Sequence, residues 1–424
     1  MAAPFDFEDK GEVLGILVGG GPAPGINGVI RAATIEAINS GLKVVGLIGG
    51  FYWLARGDNS KIWELKISDV SRIHFRGGSI LRTSRVNPAA TKETMENTIR
   101  ALENLGVNYL VAIGGDDTAY SAYKIAEATN NRIRVVHVPK TIDNDLPLPG
   151  DRSTFGYQTA RHVGVTLTHY IMVDAQTTSR WYFCVSMGRK AGHLALGITR
   201  AASATLAIVA EEFRGKKVRL AHLVDILVGA IIKRRAMGKN YGVAILAEAL
   251  AEIIDEQDLL NLDEVERDDH GHVRYSEIPL GEIIRNAVRE RLQEMKIDAR
   301  IVAKNIGYEL RCADPIPFDC EYTQDLGHAA IRYLLEGGSG AMITLKYGEW
   351  MPIPLEELIN PETGRMTVRL LDVDKDSYKV ARKYMIRLDA EDFRDINRLT
   401  RLARTAGMTG EEFKKHFEYL GEPW

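Results

Sequence analysis

The sequence lacks an excess of charge of either sign, since 54 Lys and Arg residues nearly balance 57 Asp and Glu residues. The net charge of −3 gives no indication of nucleic-acid binding, although a local cluster of Lys and Arg can still bind a small anion. Long hydrophobic runs are also missing, because no stretch approaches the roughly 20 apolar residues of a transmembrane helix. Met1–Lys10 is acidic and has no apolar core, so we expect no signal peptide there.

Cysteine is scarce, and the three that occur are Cys184, Cys312 and Cys320. Their odd number and their spacing argue against a disulfide framework and against a zinc site. Free thiols are typical of a reducing compartment, so we expect a cytoplasmic protein without a membrane partner. Internal repeats and low-complexity segments are absent from the sequence.

What the sequence does contain is an alternation of short Val- and Ile-rich runs with segments of helical periodicity. Its 424 residues suggest two or three compact units, and 45% hydrophobic residues are ordinary for a globular protein. The predicted buried strands are Leu14–Val18, Lys43–Ile48, Tyr109–Ile113, Arg134–Val138, Tyr182–Ser186, Leu206–Ala210, Tyr241–Leu246 and Ala341–Leu345. The clearest predicted helices are Ile26–Asn39, Lys92–Leu105, Ala119–Thr129 and Tyr157–Asp174.

Strands that alternate with helices predict an α/β fold with mostly parallel sheets covered by helices on both faces. Functional loops of such sheets usually follow the carboxyl ends of the strands. The charge-dense stretch Glu252–Tyr275 is predicted to be an insertion or exposed loop, and Pro361–Gly364 to be a turn.

A glycine-rich segment, Gly19–Asn27, follows the first predicted strand and precedes the first predicted helix. Glycines let backbone N–H groups approach an anion, and the helix N-terminus adds a favourable dipole. The segment is no dinucleotide-binding fingerprint, because Pro24 occupies the third glycine position, and no Walker A loop, because Ile26 stands where Lys is required. Phosphate binding and a plain strand-to-helix turn both remain open for this loop.

Two acidic loops, Gly114–Thr118 and Pro139–Asp145, follow later strands. The adjacent carboxylates of Asp116 and Asp117 suit Mg²⁺, which takes one or two carboxylates with water and phosphate oxygens, although Asp also caps helices without further function. In the second loop an Asp can deprotonate an attacking hydroxyl and Lys140 can neutralise phosphate charge, while a polar Asx-turn is the alternative. Such loops after successive strands favour a phosphoryl-transfer site.

Further charged residues follow the later strands. Arg189, within Met187–His193, lies near a predicted helix start and can hold a phosphate, although a lone Arg is more often solvated. Arg180 precedes the same strand. Glu248 and Tyr308–Arg311, taken alone, indicate only structural or solvated positions.

Taken together, these segments resemble the phosphofructokinase family. The run Thr141–Asp145 is highly specific to that family, whereas a Gly-Gly-Asp loop alone is also similar to the loops of NAD kinases and lipid kinases. The segments that match, in the family's order and over most of the chain, are Gly19–Asn27, Gly77–Arg85, Gly114–Thr118, Pro139–Asp145, Met187–Arg189, Glu248 and Gly307–Arg311.

The resemblance implies two α/β domains, each with a mostly parallel sheet flanked by helices, and an active site in the interdomain cleft. The expected donor-binding domain comprises residues 1–154 and 310–385, and the expected sugar-phosphate-binding domain comprises residues 155–309 and 386–424. The implied reaction is phosphoryl transfer to the 1-hydroxyl of fructose 6-phosphate with Mg²⁺. A homo-oligomer, either a dimer or a tetramer, is implied as well, with active sites shared between subunits.

The resemblance also implies residue roles. Asp143 would take the proton of the sugar hydroxyl, Asp116 would bind Mg²⁺ and Arg189 would stabilise the transferring phosphoryl group, with Lys140 and Thr141 as further catalytic residues. The implied donor-binding residues are Gly20, Gly21, Arg85, Gly115, Asp117 and Thr118. The implied sugar-phosphate-binding residues, besides Thr141, are Asp145, Arg180, Met187, Gly188, Glu248, Tyr308 and Arg311.

Arg180 would reach into the site of the neighbouring subunit, and the second basic residue acting in that way is either Arg300 or Lys304. Tyr308 stands where the common ATP-using bacterial enzymes have His.

Two departures from the ATP-using pattern point to the donor. Asp117 and Lys140 stand where ATP-dependent members typically have Gly, and the pair resembles the pyrophosphate-dependent branch. A carboxylate at position 117 adds bulk and negative charge where the α-phosphate of a nucleotide would lie, and desolvated like charges repel by several kcal/mol. Lys140 supplies a cation for pyrophosphate. Some ATP-using relatives carry Lys at that position, so Asp117 carries the greater weight.

Other functions remain open at this point. An ATP-dependent phosphofructokinase would use ATP at least as fast as pyrophosphate. A non-catalytic phosphosugar- or nucleotide-binding regulator would bind fructose 6-phosphate without turnover, but the intact set of Asp116, Asp143 and Arg189 argues against it. A dinucleotide-binding oxidoreductase is weaker, because the first loop fails the fingerprint.

Overall fold

The computed structural model describes residues 11–150, 152–260 and 278–422. Met1–Lys10 and the part of the predicted insertion Glu252–Tyr275 that follows residue 260 lie outside this description. The strands are β1 (Val13–Val18), β2 (Lys43–Leu47), β3 (Ile62–Glu64), β4 (Val107–Gly114), β5 (Arg134–Thr141), β6 (Phe155–Gly156), β7 (Trp181–Ser186), β8 (Leu206–Ile208), β9 (Gly242–Ala247), β10 (Ile301–Ile306), β11 (Ala341–Lys346) and β12 (Glu349–Pro354).

The helices alternate with these strands along most of the chain. They are α1 (Ile26–Asn39), α2 (Ile67–Val70), α3 (Lys92–Asn104), α4 (Asp116–Ala128), α5 (Tyr157–Thr178), α6 (His193–Ala202), α7 (Leu220–Ala236), α8 (Leu250–Ile253), α9 (Glu256–Leu260), α10 (Leu280–Glu294), α11 (Tyr308–Arg311), α12 (Pro317–Leu335), α13 (Asp376–Tyr384), α14 (Ala390–Arg394), α15 (Ile396–Ala406) and α16 (Gly410–Phe417). No helix in the described part of the chain is long and apolar enough to cross a membrane.

The chain divides into two compact units. Unit 1 comprises Met1–Ala160 and Tyr308–Arg369, and unit 2 comprises Arg161–Gly307 and Leu370–Trp424. The chain changes unit for the third time after residue 369, whereas the expected boundary was after residue 385. The reason lies in the contacts of the intervening segment, because the N–H of Leu371 donates to the Glu211 carboxylate at 3.0 Å and the N–H of Ala207 lies 3.5 Å from Met385 Sδ.

Unit 1 is built on one sheet with the strand order β12-β11-β5-β4-β1-β2-β3, and β6 pairs with β5. The pairs within β11-β5-β4-β1-β2 are parallel, whereas β3 and β12 pair antiparallel at the two edges. The chain leaves β1 for β2 on one side and later returns to β4 on the other side. The carboxyl ends of β1 and β4 therefore flank a topological switch point, where open α/β sheets bind ligands.

Side-chain alternation along the strands of unit 1 creates a core on each face of the sheet. On one face Ile16 and Val111 pack with α1 and α12. On the other face Leu17 and Leu110 pack with α3 and α4. With both faces covered, only the loops at the strand ends remain available for polar chemistry.

Unit 2 is built on a parallel sheet with the order β10-β7-β9-β8. Helix α10 packs on β7 and β10, and α6 packs on β8 and β9. Both units thus confirm the predicted class of helix-flanked, mostly parallel sheets.

All eight predicted strands are present, with ends that shift by a few residues. The shift that matters is in β5, which continues through Lys140 and Thr141, so these residues belong to the strand rather than to the following loop. The predicted helices correspond to α1, α3, α4 and α5. The predicted turn Pro361–Gly364 is confirmed, and Gly364 has a φ of 65°. The three cysteines are free thiols.

Candidate active site

The loop after β1 is shaped by the Thr118 side chain, which lies against it. The N–H of Gly19 donates to Ile113 O at 2.8 Å, which ties the loop to β4. A methyl group at Gly19 would lie only 2.2 Å from Thr118 Oγ1, so no larger residue fits there. Gly25, directly before α1, has a φ of 99°, which a residue with a Cβ rarely adopts. The glycines at these two positions therefore serve close packing of the loop.

The loop after β4 leads directly into α4. Asp116 and Asp117 occupy the first turn of this helix, where the helix dipole favours negative charge. Asp117 is exposed, whereas Thr118 is buried and packs against Gly114, where a methyl group would lie 2.2 Å from Thr118 Oγ1. Packing is thus a sufficient reason for a small β-branched residue at position 118.

A buried histidine forms a hydrogen bond to the end of β4, where this loop begins. Nε2 of His137, on β5, lies 3.0 Å from Gly114 O, as expected of a donated N–H. Burial lowers the pKa of His137 to about 3, so the ring is neutral at physiological pH. Its Nδ1 is buried without a hydrogen-bond partner among the described residues.

The end of β5 places a buried cation next to the loop after β1. Lys140 is 4% exposed, and its ammonium donates to Gly21 O. Burial lowers the pKa of Lys140 to about 8. Asp143 and Asp145 act in the opposite direction as nearby anions, and the cations Arg311 and Arg85 lower the pKa further. Unit 1 therefore brings together four separate segments of the chain, which contain Gly21, Arg85, residues 140–145 and Arg311.

The segment after β5 is held by its own side chains. The N–H of Asp143 donates to Thr141 Oγ1 at 3.0 Å, and Thr154 Oγ1 donates to Thr141 O at 2.7 Å. Asn144 has a φ of 59° and accepts a hydrogen bond from the Thr154 N–H at its side-chain oxygen, at 3.0 Å. Asn tolerates this left-handed conformation better than most residues. The turn fixes the backbone on both sides of Asp143.

Arg311 lies over the loop after β1. A methyl group at Gly21 would lie 3.0 Å from Arg311 Nη2, and the guanidinium carbon is 5.1 Å from the ring centre of Tyr308. The Tyr308 side chain is 76% exposed. The exposed Arg85 directly follows Ser84, whose carbonyl accepts the N–H of Gly20 at 2.8 Å.

Asn27 is a residue of this site whose role the sequence did not reveal. Its buried amide donates to Arg76 O at 3.0 Å, and its amide oxygen accepts the N–H of Ile80 at 3.0 Å. It thereby holds the segment that leads to Arg85 against the start of α1. The available signal was a polar residue on the buried face of a predicted helix.

Unit 2 forms a second cluster at the carboxyl ends of β7 and β9. The Glu248 carboxylate accepts the N–H of Gly188 at 3.1 Å, and its own N–H donates to Ser186 O at 3.0 Å. Gly188 has a φ of 144°, and a methyl group there would lie 2.7 Å from Ala191 O. The N–H of Met187 donates to Ile306 O at 3.1 Å, while the Arg189 side chain is exposed.

Arg180 lies at the opposite end of this sheet. It precedes Met187 by seven positions, which corresponds to about 23 Å along an extended strand. Arg300 lies at the same end as Arg180, since its carbonyl accepts the N–H of Trp181 at 2.8 Å. Lys304 lies within β10 and pairs with Cys184 in the strand register, farther toward the carboxyl end.

Within the described ranges, no three His, Cys, Asp or Glu side chains lie together as a preformed metal site. Mg²⁺ in phosphoryl-transfer sites usually keeps water and binds one or two carboxylates with phosphate oxygens. The acidic first turn of α4, with Asp116, fits a cation held in that way.

Unit 1 carries glycine-rich and acidic loops at the switch point of a helix-flanked sheet, with a buried lysine beside them. Together with the second helix-flanked sheet, this arrangement is typical of a phosphoryl-transfer protein. The chain belongs to the phosphofructokinase family, whose sequence pattern it matches over residues 13–334. It is 52% identical to the pyrophosphate–fructose 6-phosphate 1-phosphotransferase of Thermotoga maritima, over 97% of this chain and 99% of that one. The protein of the same name from Naegleria fowleri is 47% identical, over 96% and 95% of the two chains.

The fold is similar to solved structures as well. The crystal structure of a pyrophosphate-dependent phosphofructokinase from Nitrosospira multiformis superposes with a TM-score of 0.67, over 88% of this chain and 90% of that one. The sequence identity is 16%, so this likeness concerns the fold alone.

Proposed function

We propose that this protein transfers a phosphoryl group from pyrophosphate to the 1-hydroxyl of fructose 6-phosphate, yielding fructose 1,6-bisphosphate and phosphate in a reversible reaction. The observation that carries the proposal is the position of Lys140, a buried cation between the loop after β1 and the carboxylates of Asp143 and Asp145. Both of the similar relatives described above carry the name of this activity.

In the proposed reaction the sugar hydroxyl oxygen attacks one phosphorus atom of pyrophosphate. The bond from that phosphorus to the bridging oxygen breaks, phosphate leaves, and Asp143 takes the proton of the hydroxyl. Thr141 keeps Asp143 in place by accepting its N–H. Lys140 and Arg189 offset the negative charge of the donor and of the transferring group.

We propose further that Gly20, Gly21, Gly115, Thr118 and Arg85 bind pyrophosphate, largely through the backbone N–H groups of the two loops. Asp116 would hold Mg²⁺ together with phosphate oxygens and water. When bound, Mg²⁺ neutralises charge on the donor and orients it. The buried packing of Thr118 supports only a contact through its N–H, at the start of α4.

The sugar phosphate would be bound by Met187, Gly188, Glu248, Asp145, Tyr308 and Arg311. Support comes from the hydrogen bond between Gly188 and Glu248, which fixes the carboxylate beside a glycine turn.

We propose a homo-oligomer in which Arg180 completes the site of a neighbouring subunit. The buried Nε of Arg180 has no hydrogen-bond partner among the described residues. Arg180 precedes β7 and therefore lies at the opposite end of the sheet from Met187 and Glu248. Arg300 is the better candidate for the second basic residue, since it neighbours Arg180 while Lys304 lies farther along β10. The three free cysteines support a cytoplasmic location.

A donor comparison tests the proposal. The formation of fructose 1,6-bisphosphate should be much faster with pyrophosphate than with ATP, each with Mg²⁺ present. Faster turnover with ATP would favour the ATP-dependent alternative. Binding of fructose 6-phosphate without turnover by either donor would favour the regulator. Mixing Arg180→Ala subunits with subunits that carry Asp143→Ala should restore activity if the sites are shared.

A further inference from the structure

Arg369 contacts the turn that carries Asp143 and Asp145, although more than 200 residues separate it from them. Its Nε and Nη2 donate to the main-chain oxygen of Asn144 at 3.2 and 3.0 Å, and Nη2 also donates to the Asn144 side-chain oxygen at 2.5 Å. Its own N–H donates to Asp145 O at 2.7 Å. Arg369 therefore holds the residue between the two carboxylates from both its backbone and its side chain.

The other arm of the guanidinium spans the rest of the turn. Nη1 donates to Arg152 O at 2.8 Å and to Leu148 O at 3.4 Å. Together with the contacts to Asn144, these are five hydrogen bonds, the number of N–H donors that a guanidinium carries in its fixed planar fork. A lysine has three donors on a single atom and cannot reach oxygens on both sides of the turn.

The core of unit 1 brings Arg369 to this place. Met366 is buried in the same hydrophobic cluster as Leu148, and the N–H of Thr367 donates to Leu358 O at 2.8 Å. Three residues after Met366, the chain reaches the turn with its direction already fixed. Arg369 lies beyond residues 13–334, over which the chain matches the family pattern.

We propose that Arg369 is a positioning residue for phosphoryl transfer, which sets the direction of the Asp143 carboxylate by holding Asn144 in its left-handed conformation. Asn144, with a φ of 59°, is in the left-handed region, which Asn adopts more readily than most residues and which its hydrogen bonds to Arg369 and Thr154 hold in place. Asp143 and Asp145 flank it directly, so a change in its backbone angles reorients both carboxylates. This inference rests on the proposed function, because it takes Asp143 as the group that receives the hydroxyl proton.

The test compares Arg369→Ala and Arg369→Lys with Arg365→Ala, a matched control at an exposed arginine of the same segment. Arg369→Ala should lower kcat by roughly ten- to a hundredfold, since a misplacement of about 1 Å costs on this order. The KM for pyrophosphate should change by less than about threefold, because the donor-binding groups stay in place. The KM for fructose 6-phosphate should rise, because Asp145 is reoriented together with Asp143. Arg369→Lys should recover only part of the loss, and Arg365→Ala should behave as the wild type.

Two further measurements separate positioning from a general loss of stability. Added guanidinium ion should restore part of the kcat of Arg369→Ala, and should leave Arg365→Ala unchanged. Amide hydrogen exchange should speed up in residues 141–154 of Arg369→Ala and remain unchanged in α3. A wild-type kcat in Arg369→Ala, or a lowered kcat with faster exchange throughout unit 1 and no guanidinium rescue, would overturn the inference.

The proposed function and this inference fail in different ways. If the wild-type protein does not use pyrophosphate, the proposed function is wrong. The exchange of residues 141–154 in Arg369→Ala still decides whether Arg369 holds the turn, because that measurement needs no substrate. If the wild type is active while exchange and kcat of the variant are unchanged, only the inference about Arg369 fails.

Discussion

The ammonium of Lys140 donates to the carbonyl oxygen of Gly21, and this hydrogen bond joins the end of β5 to the loop after β1. The Lys140 side chain is 4% exposed and thus places a cation at the carboxyl end of β5, beside the glycine-containing loops that follow β1 and β4. Burying an ammonium is unfavourable unless its donors are satisfied and its charge is compensated. The Gly21 carbonyl and the nearby carboxylates provide both, and a bound pyrophosphate would add further compensation.

The affinity for pyrophosphate should therefore fall as the pH rises through about 8. Burial lowers the pKa of Lys140 from its ordinary value to about 8, so the side chain is a cation below that pH and neutral above it. The pKa of the buried His137, at about 3, is too low for this ring to titrate in the same range. The KM for pyrophosphate should be measured between roughly pH 6.5 and roughly pH 9.5, and it should rise above about pH 8.

One variant serves as the control for this pH dependence. Lys140→Met removes the titrating group, so its KM should be high throughout and should lack the break near the pKa of Lys140. Ionisation of pyrophosphate itself affects the wild type and this variant alike, so it cancels in their ratio. If the ratio of the two KM values is independent of pH, Lys140 does not bind the donor as a cation.

Asp117→Gly should raise the use of ATP relative to pyrophosphate. The Asp117 side chain is exposed in the first turn of α4, and its backbone oxygen accepts the hydroxyl of Ser121 at 2.8 Å in a contact that the substitution retains. Removal of the carboxylate relieves a repulsion of several kcal/mol from a nucleotide phosphate, so we expect kcat/KM for ATP to rise at least about tenfold. The ratio of kcat/KM for the two donors is the quantity to measure.

Asp117→Asn separates charge from size in the same experiment. It keeps the shape of the side chain and removes its charge, so an electrostatic origin predicts most of the gain with Asn, and a steric origin predicts the gain only with Gly. An unchanged donor ratio in both variants would contradict the assignment of donor choice to position 117. Glycine near a helix start costs about 1 kcal/mol, so thermal unfolding should be followed in parallel.

Local signals were sufficient to predict the central strands and the polar loops that follow them. Apolar Val and Ile runs specify β1, β4 and β5, because each is buried on both faces. The signal ended at Val138, since Lys140 and Thr141 are polar, yet the strand continues through both. Their pairing with Phe155 and Gly156 of β6 extends the strand, and no pattern within β5 announces that partner.

Contacts between distant segments could not be predicted from local patterns. β12 contains Pro352 and Pro354, and β10 contains Lys304 and Asn305, so both lack the apolar run of a buried strand and lie at sheet edges. Arg369 is an ordinary arginine in the sequence, and only the fold shows that it meets the turn after β5. The boundary of unit 1 at Arg369 likewise depends on packing that the sequence does not display.

Asp319→Ala should destabilise unit 1. The carboxylate of Asp319 is fully buried and accepts the N–H groups of Gly156 and Thr159, both at 2.9 Å, and the hydroxyl of Thr159 at 2.5 Å. Burial raises the pKa of Asp319. Hydrogen bonds to charged groups contribute about 1.5–3 kcal/mol each and are not additive, so we expect a loss of roughly 3–5 kcal/mol in the free energy of unfolding. Urea denaturation followed by fluorescence measures it.

Asp325→Ala is the matched control, since Asp325 is an exposed residue of the same helix α12. It should unfold at nearly the same urea concentration as the wild type, because surface substitutions usually change stability by less than about 0.5 kcal/mol. Equal stability of Asp319→Ala and Asp325→Ala would show that the Asp319 hydrogen bonds contribute nothing net.

Glu248→Ala should weaken the binding of fructose 6-phosphate and leave pyrophosphate binding unaffected. The Glu248 carboxylate accepts the N–H of Gly188. The φ of 144° at Gly188 is one that residues with a Cβ rarely adopt. Loss of the carboxylate frees the turn and, under the proposed function, removes a hydrogen-bond partner of the sugar phosphate. Charge-assisted hydrogen bonds of about 1.5–3 kcal/mol correspond to a rise in KM for fructose 6-phosphate of roughly ten- to a hundredfold.

Two comparisons make this prediction specific to Glu248. Glu248→Gln keeps an oxygen that can accept the Gly188 N–H, so its KM for fructose 6-phosphate should lie between those of the wild type and Glu248→Ala. Glu252→Ala, at an exposed position on α8, should match the wild type. An equal rise in the KM values of both substrates in Glu248→Ala would mean that the residue stabilises unit 2 as a whole. A selective rise for the sugar phosphate, intermediate in Glu248→Gln, requires a carboxylate that both shapes the turn and contacts the substrate.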